Sequence, residues 1–113
     1  MELKIIDRED NITQVALVGH LDTTATQKID GRFQAATVVR GNPTIVDLSN
    51  LDFIASLGIG MLLSAARGLH SKGVGIVLAG PKGAVETTLR RSSLDSVLPI
   101  AANLAKAEEL LKH

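Results

Sequence analysis

The sequence has no cysteine, no tryptophan and no tyrosine, and only two phenylalanines, Phe33 and Phe53, among 113 residues. Without cysteine there are no disulfides and no thiolate metal sites, a composition compatible with a reducing compartment. Without stacking aromatics the chain lacks the usual platform for single-stranded nucleic acid. An excess of either charge is missing too, because twelve Lys plus Arg balance twelve Asp plus Glu. No basic block appears, and the balance argues against a nucleic-acid partner. No apolar run approaches the ~20 residues that a membrane-spanning helix requires. The opening "MELKIIDRED" is charged and lacks the apolar core and cleavage site of a secretory signal. The expectation is a soluble cytoplasmic protein.

What is present is an ordinary globular composition, 45% hydrophobic and 21% charged. A chain of this length is expected to form one domain, residues 1–113, burying roughly 65% of its unfolded surface. "ELKII" and "ITQVALV" read as strands joined by the polar turn "DREDN", an antiparallel hairpin. After "GHLD", Ala25, Ile29, Phe33 and Ala36 make one helical stripe. Thr24 with Gln27 forms a possible capping box there, in competition with Asp22 and Thr23. "TIVDLSN" and "VGIVLAG" read as buried strands, each followed by a helical segment. The first of these helices carries Ile59, Leu62, Leu63, Ala66 and Leu69 inward and stops at Gly73. A third helix is expected over roughly residues 82–91, with Pro81 suited to its first turn, and Pro99 marks a short edge strand. A last helix over residues 103–112 turns Leu104, Ala107 and Leu111 inward. Alternating strands and helices after a hairpin predict an α/β domain with a mixed, four- to five-stranded sheet and about four helices.

The stretch "IVDLSNLDFIASLGIGMLLSAARGL" raises the functional question, because a single hydroxyl, Ser56, lies between an apolar strand and an apolar helix. A nucleophile elbow requires G-x-S-x-G, and Ile54 stands where the first glycine belongs. A base is also required, and neither His20 nor His70 is placed beside Ser56 by the sequence, while His113 reads as a tail residue. Gly58 and Gly60 begin a dinucleotide-type G-x-G, but the third position is Leu63. In "GIVLAGPK" the pattern of a phosphate-binding loop fails at Pro81. No His or carboxylate cluster has metal-ligand spacing. No catalytic residue, cofactor site or metal site is expected.

An N-cap role for Ser56, accepting from the N–H of Gly58 or Ile59, explains its position without any function. Gly58 and Gly60 are nevertheless costly in a first helical turn, at about 1 kcal/mol each relative to alanine. They clear side chains from around Ser56 and let another molecule approach the backbone. Leu57 and Met61 lie off the expected core stripe and would form an apolar rim beside the serine.

Over about residues 3–111 the chain resembles a freestanding STAS domain of the anti-sigma factor antagonist family. The resemblance rests on the opening hairpin, "GHLD", a helix, and then "IVDLSNLDFIASLGIGML". The family motif D-[ST]-[ST]-G-L-G reads "ASLGIG" here, so its phosphoacceptor falls on Ser56 and its glycines on Gly58 and Gly60. Ala55 replaces the family's aspartate, Leu57 its second hydroxyl, and His20 the acidic residue common in "G-E-[LI]-D". The resemblance implies a protein that binds a kinase-type anti-sigma factor while unphosphorylated and is released on phosphorylation of Ser56. A Ser/Thr phosphatase would reverse the modification, and ATP and metal would belong to these partners. The implied contact surface includes Asp22, Ala55, Ser56, Leu57, Gly58, Gly60 and Met61. The alternative it implies is an unphosphorylated adaptor of a signalling scaffold or a transporter ATPase.

Overall fold

The computed structural model describes residues 1–112, so His113 lies outside the described residues. β1 (Glu2–Ile6) and β2 (Thr13–Leu21) form the expected antiparallel hairpin, with Leu3 opposite Leu17. α1 (Thr23–Ala36) leads to β3 (Thr44–Asp47), and a short β4 (Leu51–Ile54) precedes α2 (Ser56–Ser71). β5 (Ile76–Ala79), α3 (Gly83–Arg91), a 3₁₀ turn (Leu94–Ser96), β6 (Ile100–Ala101) and α4 (Leu104–Lys112) complete the chain. The mixed sheet runs β1-β2-β3-β5-β6, and β4 also pairs with β2. All pairings except β1–β2 are parallel, as crossover helices require.

Both faces of the central strands are covered, which explains their continuous apolar runs. On one face Val15, Leu17, Val46, Ile76 and Leu78 pack with Phe33 of α1, Leu62 and Leu69 of α2, and Leu89 of α3. On the other, Ile45, Val77 and Ala79 pack with Ala107 of α4, flanked by Leu104 and Leu111. Successive residues of β3 and β5 thus feed opposite cores.

β4 is the strand that hydrophobic periodicity did not announce. Only Leu51 and Ile54 of it are buried, whereas Asp52 and Phe53 are exposed, so neither alternation nor an apolar run marks it. Its cause is a turn after β3, where Asp47 Oδ1 accepts from the Ser49 N–H at 3.0 Å and the Ser49 hydroxyl at 2.7 Å. The chain then rejoins β2 further along. β2 pairs β3 through Thr13–Ala16 and β4 through Gly19–Leu21, with an irregularity at Gly19/His20. Gly19 takes the change of partner at φ +108°, a backbone that side chains disfavour.

Three local expectations are corrected. α1 is capped by Asp22, whose Oδ1 accepts from the Ala25 N–H at 2.8 Å, so the Thr24–Gln27 box is not used. Thr26 is buried on that helix and Ala25 only partly so. Pro81 precedes α3 rather than opening it, because the cap position is Lys82 and Gly80 and Gly83 both take positive φ. The stop of α2 follows expectation: Gly73 at φ +79° donates to His70 O and Val74 to Leu69 O, a Schellman motif.

Arg8 fastens the hairpin turn to α4. It binds Asp10 at 2.7 Å and Glu108 at 2.9 Å, and its Nη1 donates to Gln14 Oε1 at 2.7 Å. The hydrogen bond from Arg8 lowers the Asp10 carboxyl from its ordinary 3.8 to about 2. A carboxylate depressed on folding stabilises above its unfolded pKa, and that contribution disappears as pH falls through its folded pKa. In acid titrations followed by circular dichroism, the stability gap between wild type and Arg8→Met therefore narrows from about pH 4 down to about 2. A gap that stays constant across that window would show that the clamp contributes nothing through Asp10.

Candidate functional site

Two parallel strands deliver two helix starts to one place. Leu21 of β2 lies in register with Ile54 of β4, and the Ala55 N–H continues the ladder to Leu21 O at 2.9 Å. Each strand enters its helix almost at once, α1 after Asp22 and α2 after Ala55. The N-termini of α1 and α2 therefore emerge side by side, bringing Asp22, Ala55, Ser56 and Leu57 together.

Their roles differ from the sequence expectation in one respect that matters. Ala55, with extended φ −88° and ψ 167°, is the N-cap of α2, and no side chain caps this helix. The ladder bond to Leu21 holds Ala55 extended, so the turn into helix occurs there and Ser56 becomes the first helical residue. Ser56 is exposed, and its hydroxyl makes no hydrogen bond among the described residues. The first-turn N–H groups are left without a side-chain acceptor, and the first turn contains no acidic residue. This is the positive end of a 16-residue helix dipole, with a free hydroxyl on its rim.

The two glycines separate into different functions. A Cβ on Gly58 would lie 2.9 Å from both Ile54 Cγ1 and Leu21 Cδ2, so this glycine lets α2 seat closely on the ends of β2 and β4. A Cβ on Gly60 would meet nothing within 4 Å. Gly60 is exposed and serves no packing need inside the molecule.

Met61 also changes position. It is 3% exposed and belongs to the core, while Leu57 alone remains as an exposed apolar rim at 44%. The reason is that α2 packs on α1 as well as on the sheet, which widens its buried face to include Met61 and Ala65. Gln34 Nε2 of α1 reaches Met61 O at 3.2 Å across that contact. Between the two helices runs a groove of about 480 Å³, lined by Thr26, Gln27 and Asp30 from α1 and Leu57, Gly60, Met61 and Ser64 from α2.

The sequence reading missed the groove's polar wall and an aromatic neighbour. Gln27 with Asp30, and Gly60 with Ser64, sit at one-turn spacings that would have placed each pair on one helix face. His20 lies in β2, stacked on Phe53 of β4 with ring centroids 4.4 Å apart and 15° between planes. Its Nδ1 lies 3.0 Å from Asp52 Oδ1. His20 is thus bound to its β4 neighbours, and no hydrogen bond joins it to Ser56 among the described residues. No group of three or more His, Cys, Asp or Glu side chains gathers there in metal-holding geometry either. What the arrangement offers chemically is an accessible hydroxyl in an environment that favours an anion.

The STAS domain family model matches residues 4–107, nearly the whole of this architecture. The chain belongs to the STAS domain family. Solved structures agree on the fold. An anti-sigma factor antagonist from Mycobacterium paratuberculosis superposes with a TM-score of 0.87 at 19% identity, over 99% of this chain and 94% of that one. The phosphorylated form of SpoIIAA, the Bacillus cell fate determinant, gives 0.71 at 21% identity, covering 96% and 98%. A serine-to-glutamate variant of RsbS from Moorella thermoacetica gives 0.74 at 27% identity, covering 99% and 96%. No curated protein sequence matches this STAS domain. No helix among its described residues is long and apolar enough to cross a membrane.

Proposed function

We propose that this STAS domain acts as an anti-sigma factor antagonist whose partner binding is switched off by phosphorylation of Ser56. The observation that carries the reading is the free, exposed Ser56 hydroxyl at the uncapped N-terminus of α2. In this reading the unmodified domain, acting in the cytoplasm, captures a kinase-type anti-sigma factor and so releases the sigma factor. The anti-sigma kinase then transfers phosphate from its own ATP to Ser56, and a Ser/Thr phosphatase removes it. The domain is a substrate and ligand in this cycle, not the catalyst. Contact is made by Asp22, Ala55, Ser56, Leu57 and Gly60, while Gly58 and Met61 support that surface from beneath.

Membership of the STAS family, and fold similarity to proteins described as anti-sigma factor antagonists, support this class of function. That one of these structural neighbours has been solved in a phosphorylated form supports the choice of a phosphorylation switch. A second reading, an unphosphorylated adaptor, draws on Ala55, which removes the carboxylate the family motif carries before its phosphoacceptor. Incubation with ATP and the kinase recovered from the host, followed by mapping of phosphate, separates the two: the switch places it on Ser56, the adaptor on no residue of the site.

A further inference from the structure

A second recognition surface lies on another side of the fold, along the free edge of the sheet. β1 pairs only with β2, so its outer edge presents unpaired backbone donors and acceptors. Ile5 on this strand is 46% exposed. Beside it, a groove of about 290 Å³ runs between β1 and the C-terminal part of α1, lined by Leu3, Ile5, Arg32, Ala35, Ala36 and Arg40. Its apolar lining comes from Leu3, Ile5, Ala35 and Ala36, and its two charged groups are both guanidinium groups. Neither Arg32 nor Arg40 forms an ion pair among the described residues, although the chain as a whole is electrically balanced.

An edge strand beside a helix, with a shallow apolar groove between them, is the arrangement that accepts an extended peptide as an additional strand. Backbone pairing supplies affinity there, and alternate side chains supply specificity, because only every second residue of the added strand faces the groove. The unpaired arginines fix the sign of the charge. A second copy of this domain fits poorly, since a symmetric β1–β1 pairing would bring the Arg32 and Arg40 groups of both copies to the same face of the joined sheet.

We infer that the β1 edge and the β1–α1 groove bind an extended segment of a partner protein whose groove-facing side chains, at every second position, read acidic, apolar, acidic. Its apolar residue would fill the groove over Leu3 and Ala36, and its carboxylates would pair with Arg32 and Arg40. This surface is separate from the Ser56 site and does not depend on that reading.

The test uses end-capped peptides of the pattern Asp-Thr-φ-Thr-Asp, with φ as Val, Ile, Leu or Phe, titrated into the ¹⁵N-labelled protein. At least one peptide should bind saturably, shifting amides of β1 and of residues 32–40, while its Lys-Thr-φ-Thr-Lys counterpart does not. The double variant Arg32→Glu with Arg40→Glu should weaken binding by about tenfold or more, since two exposed ion pairs are lost and reversal adds repulsion. Ser56→Asp should leave the peptide affinity unchanged. Absence of saturable binding across the panel would overturn the inference. So would equal binding of the basic peptides, shifts centred on the start of α2, or a concentration-dependent dimer through β1 in sedimentation.

Discussion

Ser56→Asp should lower the affinity for a kinase-type anti-sigma factor by about a hundredfold, while Ser56→Ala should bind as the wild type does. The argument is one of asymmetry between the domain and its partner. A phosphate on Ser56 adds about −1.5 to −2 charge, and aspartate imitates part of it. Within the domain that charge meets uncapped N–H groups and the positive end of α2, with no acidic residue in the first turn to repel it. The fold therefore tolerates it, and thermal stability should be unchanged or slightly raised. At the contact, the same charge must be desolvated beside Leu57 and Gly60, whose groove is lined by no side-chain cation. Stranding an unpaired charge at an interface costs several kcal/mol, and about 2.8 kcal/mol already corresponds to a hundredfold. Titration calorimetry of the three proteins decides the matter: equal affinities would remove the switch.

Gly58→Ala and Gly60→Ala change stability in opposite directions. Alanine is the better helix former by about 1 kcal/mol at either position. At Gly58 that gain is outweighed, because the added methyl enters the 2.9 Å space against Ile54 and Leu21, both buried beneath the helix start. Overpacking of this kind costs about 1–3 kcal/mol, so a net loss of up to about 2 kcal/mol is expected in denaturant unfolding. At Gly60 the methyl points into open space, and the variant should be more stable by about 0.5–1 kcal/mol. The same methyl protrudes into the groove between α1 and α2, so partner affinity should fall as stability rises. A Gly60→Ala protein that is both more stable and fully competent would show that the partner does not approach the helix there.

Much of this was legible in the sequence where one physical signal dominated. The spacing of Ile29, Phe33 and Ala36 fixed the inner face of α1, and the apolar runs of β3 and β5 correctly implied strands covered on both sides. The edge strand after Pro99, with Pro99 O accepting from the Leu78 N–H at 3.0 Å, was likewise readable from proline's missing donor. What escaped was set by contacts distant in sequence. β4 exists because β2 continues past the end of β3 and offers it a partner, not because "LDFI" alternates. Ser56 would cap its helix in isolation, but the Ala55–Leu21 ladder bond moves the helix start by one position and frees the hydroxyl. Met61 looked peripheral on a helix drawn alone and is buried because α1 lies against α2. Asp22 took the cap over Thr24 because β2 delivers it, extended, at the end of the strand.

The correction at Ser56 strengthens the functional reading. A capping serine would have its oxygen engaged by the helix it starts, whereas here the oxygen faces solvent beside unsatisfied N–H groups. The most direct measurement is intact-mass and peptide mapping of the domain after incubation with ATP and the kinase-type anti-sigma factor recovered from its host, with the complex followed by gel filtration. A single phosphate on Ser56, accompanied by dissociation of the complex, is the expected result. A complex that persists with Ser56 phosphorylated, or dissociates with Ser56 unmodified, would contradict it.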